Sequence, residues 1–152
     1  MKYTLPTLTL LLAILVLPFN TLTAEKPEPL TDRQTELIKK NVLTNLDHPS
    51  LEVRAGTMQL LIELKQAHPD YDVSYAVFPM MDVLKNDEKP EFRILAALTL
   101  YHLDSEVGRF AVERRAQFDS DDRVVRHCAS LARNWEKKEI STDLITEVKQ
   151  AL

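Results

Sequence analysis

A short pattern that recurs three times constrains the fold of this chain more than any other sequence feature. In each copy an apolar residue is followed by an arginine, and a small residue stands three positions after that arginine. The copies occupy residues 53–57, 92–96 and 125–129, and their arginines lie 39 and 33 residues apart. Such intervals are typical of helix-pair repeats, which stack because one pair alone cannot bury its apolar faces.

We expect the arginines of this pattern to be structural. They are Arg54, Arg93 and Arg126, each predicted to lie in the first turn of the second helix of its pair. Acidic residues precede them in the sequence: Glu52, Glu91 and Asp122. A carboxylate at these positions also suits the N-terminus of a helix. The small residue of each copy should allow two helices to approach closely.

From Leu30 onward, apolar residues recur at helical spacing and turn residues interrupt them at regular intervals. Helices are predicted to begin at or near residues 31, 50, 72, 91, 105, 120 and 141. The fourth, over residues 91–103, is apolar on all sides and should lie at the centre of the protein. Pro79 falls inside the third and should kink it. Because no segment alternates with period two, the predicted fold class is all-α.

Scarce residue types exclude several functions. Gly56 and Gly108 are the only glycines, and their separation rules out a phosphate-binding loop. The single cysteine, Cys128, excludes a disulfide scaffold and multi-cysteine zinc sites; its apolar position predicts a small core residue. A net charge of −4 without a basic cluster excludes nucleic acid as a partner.

Catalytic and metal-binding patterns are also missing from the sequence. The four histidines form no His-Glu-x-x-His motif, and no nucleophile elbow is present. The acidic run 119–122 resembles the start of a calcium loop but has Val124 and Ser130 where glycine and glutamate are required. A helix start capped by Ser120 explains that run. The sequence therefore predicts no catalytic residues, no metal, no cofactor and no enzymatic activity.

Residues 1–24 have the layout of a secretory signal peptide. Lys2 is followed by an apolar run over residues 8–19 and then by small and polar residues, so cleavage is expected after Ala24. Residues 25–30 would be a linker, and residues 31–152 the folded domain. The alternative is an uncleaved anchor, since residues 5–22 could just cross a tilted bilayer. We expect a secreted or periplasmic protein, bound to the membrane only if this segment is retained.

The three copies, Val53-Arg54, Phe92-Arg93 and Val125-Arg126, each follow a turn that contains Pro or Asp. In this the chain resembles the HEAT-repeat family, including its bacterial HEAT-like members, over roughly residues 30–138. The resemblance implies a right-handed α-solenoid, here a short one of about three antiparallel helix pairs with a C-terminal capping helix from residue 141. It also implies arginines that tie neighbouring repeats together through an acidic residue. The third copy departs from the pattern, because Arg133 stands where the other two have leucine.

These observations predict an exported, non-catalytic module that mediates protein–protein interaction or scaffolding in the cell envelope. The resemblance implies that the second helices line a concave face. The expected binding face consists of outward polar residues on those helices: Gln59, Glu63, Gln66, His102, Arg133 and Asn134. The alternative is an enzyme or ligand carrier of the HEAT-like lyase type, which handles linear tetrapyrroles. That alternative predicts a deep pocket lined by converging polar groups.

Overall fold

The computed structural model of the protein describes residues 28–151, with side chains to residue 138. Over this range the chain contains α-helices and no strand, so the all-α prediction is confirmed. The helices are α1 (Asp32–Leu46), α2 (Leu51–Ala67), α3 (Val77–Asn86), α4 (Pro90–Leu103), α5 (Glu106–Phe118) and α6 (Asp122–Ala151). The predicted signal peptide, residues 1–24, lies outside the described residues.

Polar caps define several of the helix starts as predicted. The Thr31 hydroxyl accepts a hydrogen bond from the Gln34 N–H, and the Gln34 side chain accepts one from the Thr31 N–H, which completes a capping box. Ser50 caps α2 and Ser105 caps α5 in the same way, through the N–H three residues ahead. These short side chains satisfy backbone donors that have no partner inside the helix.

Helix α3 begins later than the sequence predicted. A 3-10 turn over Ser74–Ala76 precedes it, and Val77 is the first α-helical residue. Pro79 is therefore in the first turn of α3 rather than in its interior. The N–H groups of a first turn have no acceptor within the helix, so a proline there removes no hydrogen bond and the expected kink has no cause.

The predicted separate capping helix is wrong. Helix α6 runs without interruption from Asp122 to Ala151, through the Ser141-Thr142-Asp143 segment that was expected to start a new helix. These three residue types favour helix starts, but inside a helix they cost only a few tenths of a kcal/mol each. With neither Pro nor Gly nearby, nothing in the sequence forces a break.

The cap of α6 also differs from the prediction. Because the helix begins at Asp122, the residue before it is Asp121 rather than Ser120. Asp121 Oδ1 accepts hydrogen bonds from the Arg123 and Val124 N–H groups, at 2.8 and 3.4 Å. Asp119 in turn accepts from the Asp121 N–H at 2.9 Å. The acidic run thus acts as a helix start, as expected, with its capping residue one position later.

Helix α4 lies at the centre, as predicted, in contact with α2, α3, α5 and α6. The core around it consists of fully buried side chains from five helices: Met58, Leu61, Met80, Leu84, Leu100, Val112, Val124 and Cys128. The core position of Cys128 matches the prediction, and burial raises the pKa of its thiol to about 11. A thiol with such a pKa is almost wholly protonated at neutral pH.

Successive helices pair as α1–α2, α3–α4 and α5–α6. Contacts between pairs join α2 to α4, α4 to α6, and α3 to α5. The carboxyl-terminal ends of α3 and α5 lie side by side, and Arg115 Nη2 on α5 donates a hydrogen bond to the Lys85 carbonyl on α3 at 3.0 Å. The second helices of the pairs are therefore neighbours, and so are the first helices of the last two pairs.

Two of the pattern arginines bind an aspartate of the following pair. Arg54 on α2 forms an ion pair with Asp87, which directly follows α3. Arg93 on α4 forms a two-pronged ion pair with Asp119, which directly follows α5, through Nη2–Oδ1 (2.8 Å) and Nε–Oδ2 (3.1 Å). Arg126 is exposed, and none of the described residues accepts a hydrogen bond from its side chain.

The acidic residues that precede the arginines on their own helices are not the partners of Arg54 and Arg93. Glu91 binds Arg123 of α6 at 3.0 Å rather than Arg93. Glu52 and Glu91 stand two positions before their arginines, so their side chains project in another direction and cannot meet the guanidinium. The partners come instead from the turns that follow α3 and α5, which bring Asp87 to Arg54 and Asp119 to Arg93.

Candidate binding surface

A groove of about 440 Å³ lies between α3 and α5, on the side that no other described helix covers. Its lining includes Phe78, Met81 and Lys85 from α3, and Phe110, Arg114 and Phe118 from α5. On each helix these residues are three or four positions apart, which places them in one stripe along the helix. The two stripes face the same groove.

The groove exposes an unusual share of the aromatic residues of the chain. Three of its five phenylalanines line it, and their exposed fractions are 71% for Phe78, 60% for Phe110 and 68% for Phe118. Single exposed apolar residues are ordinary, but a cluster of them on one surface usually marks an interaction site. Each phenylalanine would gain about 1.5–3 kcal/mol from full burial against a partner.

Cations lie at the end of the groove where α3 and α5 finish. The Lys85 and Arg114 side chains are exposed there, and the Arg114 guanidinium lies 5.8 Å from the centre of the Phe118 ring. Arg115 is also at this end but is held by the Lys85 carbonyl and by Asp119, 3.7 Å away. Among the described residues that line the groove, Asp82 is the one carboxylate, and it accepts a hydrogen bond from the Asn86 amide at 2.7 Å. The groove is thus positive in a protein whose net charge is negative.

The binding face expected from the sequence lies elsewhere. Its residues are on α2, α4 and α6, and none of them lines the groove: Gln59, Glu63, Gln66, His102, Arg133 and Asn134. All are exposed except His102, which is half-buried. The three α2 residues follow one another at helical spacing and share one side of that helix.

His102 lies next to a cluster that joins α4 to α6. The Trp135 indole N–H donates to Asp104 Oδ1 at 3.1 Å, and the Trp135 ring packs edge-on against Tyr101, with centroids 5.0 Å apart. Asp104 also binds Lys138 at 2.7 Å and ends α4 in a left-handed conformation. Desolvation, with a smaller contribution from the charge of Lys138, lowers the pKa of His102. Trp135 is therefore a packing residue that joins α4 to α6.

The part of the chain that the structure describes contains no group of three His, Cys, Asp or Glu residues able to hold a metal ion. Among the histidines, His48 has a local structural contact: its Nδ1 accepts a hydrogen bond from the Ser50 N–H at 3.0 Å. Within residues 28–151, none of the helices combines the length and apolar character needed to cross a bilayer.

Comparison with known proteins yields no family model, no curated protein and no solved structure that matches the chain.

The spacing of apolar residues predicts helix α5 but does not show which of its sides is buried, so the α3–α5 groove was not among the predictions. The buried residues of that helix are Gly108 and Val112. Residue 110 is two positions from each of them, so it projects from the opposite side of the helix. The sequence does contain a signal of the groove, because apolar residues lie on opposite sides of α5. A helix that buries one side leaves the apolar residues of its other side exposed.

Proposed function

We propose that the protein is an exported, non-catalytic helical-repeat module that binds another protein of the cell envelope or the extracellular space. The observation that supports this most is the groove between α3 and α5, where three phenylalanines are exposed in one cluster. Aromatic and arginine side chains are the usual anchors of protein interfaces. The signal-like segment at residues 1–24 is the basis for proposing export.

We further propose that the three helix pairs stack in the manner of HEAT-like repeats, as a short right-handed solenoid. The contacts of Arg54 with Asp87 and of Arg93 with Asp119 support this, because equivalent residues join consecutive pairs in both cases. Arg126 would occupy the same position in the last pair, after which no further pair follows in the described chain.

The alternative proposal, an enzyme or ligand carrier of the HEAT-like lyase type, calls for polar groups that converge on one point of a deep pocket. The groove instead offers phenyl rings along its length and long cationic side chains at one end. Such an arrangement suits an extended apolar partner surface better than a single reacting group. We therefore favour protein binding.

Affinity capture followed by mass spectrometry tests the proposal. The protein is expressed in its native host, and partners are recovered from the envelope fraction and the medium with the wild type and with a Phe78→Ala/Phe110→Ala variant. We expect a specific partner with the wild type and its loss with the variant. Leu60→Ala on α2 is the matched control, since Leu60 is also exposed (48%) but lies outside the groove, and it should retain the partner.

Two results would contradict the proposal. Capture of no specific protein by the wild type would argue against a protein-binding function. A partner that the groove variant retains would move the binding surface away from α3 and α5, and the polar residues of α2, α4 and α6 would then be tested by the same method. Export is tested separately by N-terminal sequencing, which should give Glu25 as the first residue.

A further inference from the structure

We propose that the α3–α5 groove binds an acidic amphipathic helix of the partner protein. This inference rests on the proposed function and adds the chemistry of the partner segment. It follows from the length of the groove, the position of its rings and the distribution of its charges.

The dimensions of the groove fit about two turns of helix. Along α3 the lining extends from Phe78 to Lys85, and along α5 from Phe110 to Phe118. At 1.5 Å per residue these stretches are roughly 11 and 12 Å long. A partner helix lying along them would present apolar side chains at positions i, i+3 or i+4, and i+7, the usual arrangement of a helix bound in a groove.

The rings are the anchoring part of this surface. Phe78 and Phe110 occupy the amino-terminal half of the lining on their helices, and Phe118 ends it on α5. All three are more than half exposed, so a partner that covers them gains the free energy of removing their apolar surface from water. A fully polar acidic segment would leave them in water, and therefore the partner segment needs an apolar side.

The charges favour carboxylates on that partner. Lys85 on one wall and Arg114 on the other carry exposed cationic ends, so an occupant helix would have a cation on each side. Neither is paired with a carboxylate by an ion pair among the described residues, whereas Arg115 is already close to Asp119. Glutamates flanking the apolar stripe of the partner would pair with Lys85 and Arg114. A lysine-rich helix would meet like charge at the same places.

Two synthetic peptides test this inference directly. Both form an amphipathic helix with leucine at i, i+4 and i+7, and they differ only in carrying glutamate or lysine beside the leucines. Binding to the purified protein is measured by fluorescence anisotropy at two salt concentrations. We expect the acidic peptide to bind at least roughly tenfold more tightly than the basic one, with the preference declining at high salt.

Variants identify the groove as the binding place. Lys85→Glu/Arg114→Glu should reverse the preference between the two peptides, and Phe78→Ala should weaken the acidic peptide roughly tenfold or more. Lys40→Glu on α1 is the control, because Lys40 is an exposed lysine outside the groove, and it should change the affinity less than about twofold. Circular dichroism of each variant establishes that it is folded.

The outcomes separate this inference from the proposed function. Equal binding of both peptides, or binding that the groove variants leave unchanged, would overturn the inference of an acidic partner. If neither peptide binds while capture still recovers a protein that requires Phe78 and Phe110, the inference is wrong and the proposed function stands. Sedimentation of the wild type should give a monomer; a dimer that Phe78→Ala dissociates would identify a second copy as the occupant and would overturn the inference.

Discussion

Two neighbouring regions of this protein distribute polar and apolar side chains in opposite ways. At the contact between α4 and the end of α5, Arg93 and Asp119 are charged and nearly inaccessible, with side-chain exposures of 9% and 1%. In the α3–α5 groove, phenylalanines such as Phe78 and Phe118 are about two-thirds exposed or more. Arg115 contacts both regions, because it binds the Lys85 carbonyl and lies close to Asp119.

The difference separates residues that hold the fold from residues available to a partner. The Arg93 guanidinium donates to both Asp119 oxygens and also to the backbone carbonyls of Asp87 and Glu88, at 2.9 and 3.3 Å. A buried charge with this many partners is costly to disturb, since removing one partner leaves the other unsatisfied. The exposed rings of the groove make no comparable contribution to folding. The two regions can therefore be changed independently, and the following substitutions test that separation.

The largest effect is expected for Arg93→Glu. The new carboxylate would face Asp119 in a buried site, and every hydrogen bond of the guanidinium would be lost. The free energy of unfolding should therefore fall by about 3–5 kcal/mol. Arg126→Glu is the matched control, because it changes the equivalent residue of the third copy, which is exposed; its effect should be within about 0.5 kcal/mol. Urea denaturation followed by circular dichroism measures both. Equal stabilities of Arg93→Glu and wild type would show that the ion pair has no structural role.

A smaller effect, with a characteristic pH dependence, is expected for Asp119→Asn. Burial alone would raise the pKa of Asp119, but the hydrogen bonds from Arg93 and the Asp121 N–H, together with the charges of Arg93 and Arg115, lower it below the ordinary value. The stabilising contribution of such a group is complete above its unfolded pKa of about 3.9 and is lost as the pH falls through the lower folded pKa.

Asp119→Asn should therefore destabilise the protein by about 1.5–3 kcal/mol at pH 7, the range for hydrogen bonds to charged groups. The difference from wild type should shrink as the pH is lowered below about 4. Urea denaturation at several pH values between neutral and acidic gives this curve. A difference that stays constant across this range would assign the effect to packing rather than to the charge of Asp119.

Arg54→Ala should have an effect of about 1–2 kcal/mol, less than that of removing the Arg93 side chain. Arg54 also pairs with an aspartate, but its side chain is 21% exposed and water can replace part of the lost interaction. Its guanidinium also lies 4.8 Å from the centre of the Phe92 ring, a cation–π contact that alanine removes. Thermal denaturation of Arg54→Ala and Arg93→Ala under the same conditions measures this difference. A lower melting temperature for Arg54→Ala than for Arg93→Ala would contradict the ranking.

The smallest effect on folding is expected in the groove. Phe78→Ala should change the free energy of unfolding by no more than about 0.5 kcal/mol, because the ring is largely in water already. The same substitution at Phe92, which is 8% exposed and packs in the core, should cost about 3 kcal/mol or more. Calorimetry of the two variants compares them directly. A large loss of stability in Phe78→Ala would mean that the groove belongs to the folding core.

Much of the helical framework could be read from the sequence. Ser50, Ser105 and Thr31 are short polar residues placed before apolar runs, and capping depends on such local chemistry. The central place of α4 was readable as well, because a helix apolar on all sides must be covered on several of them. The expectation for Cys128 rested on the same periodicity.

Other features depend on contacts between distant parts of the chain. Asp87 and Asp119 are 33 and 26 residues from the arginines they bind, and nothing in the local sequence distinguishes them from the acidic residues nearer by. The side of α5 that is buried is decided by its contacts with α4 and α6, so Phe110 and Phe118 could not be assigned to the groove from spacing alone. The continuity of α6 past Ser141 depends on a preference of tenths of a kcal/mol, too small to read from three residues.

The single cysteine allows local opening of the core around α6 to be measured by thiol labelling. Cys128 is fully buried in α6 and its thiol is protonated at neutral pH, so a thiol reagent can react only after the packing around that helix has opened. The rate of labelling under native conditions therefore reports the frequency of that opening. In the absence of denaturant, a groove variant should be labelled at the wild-type rate and an Arg93 variant at a faster rate.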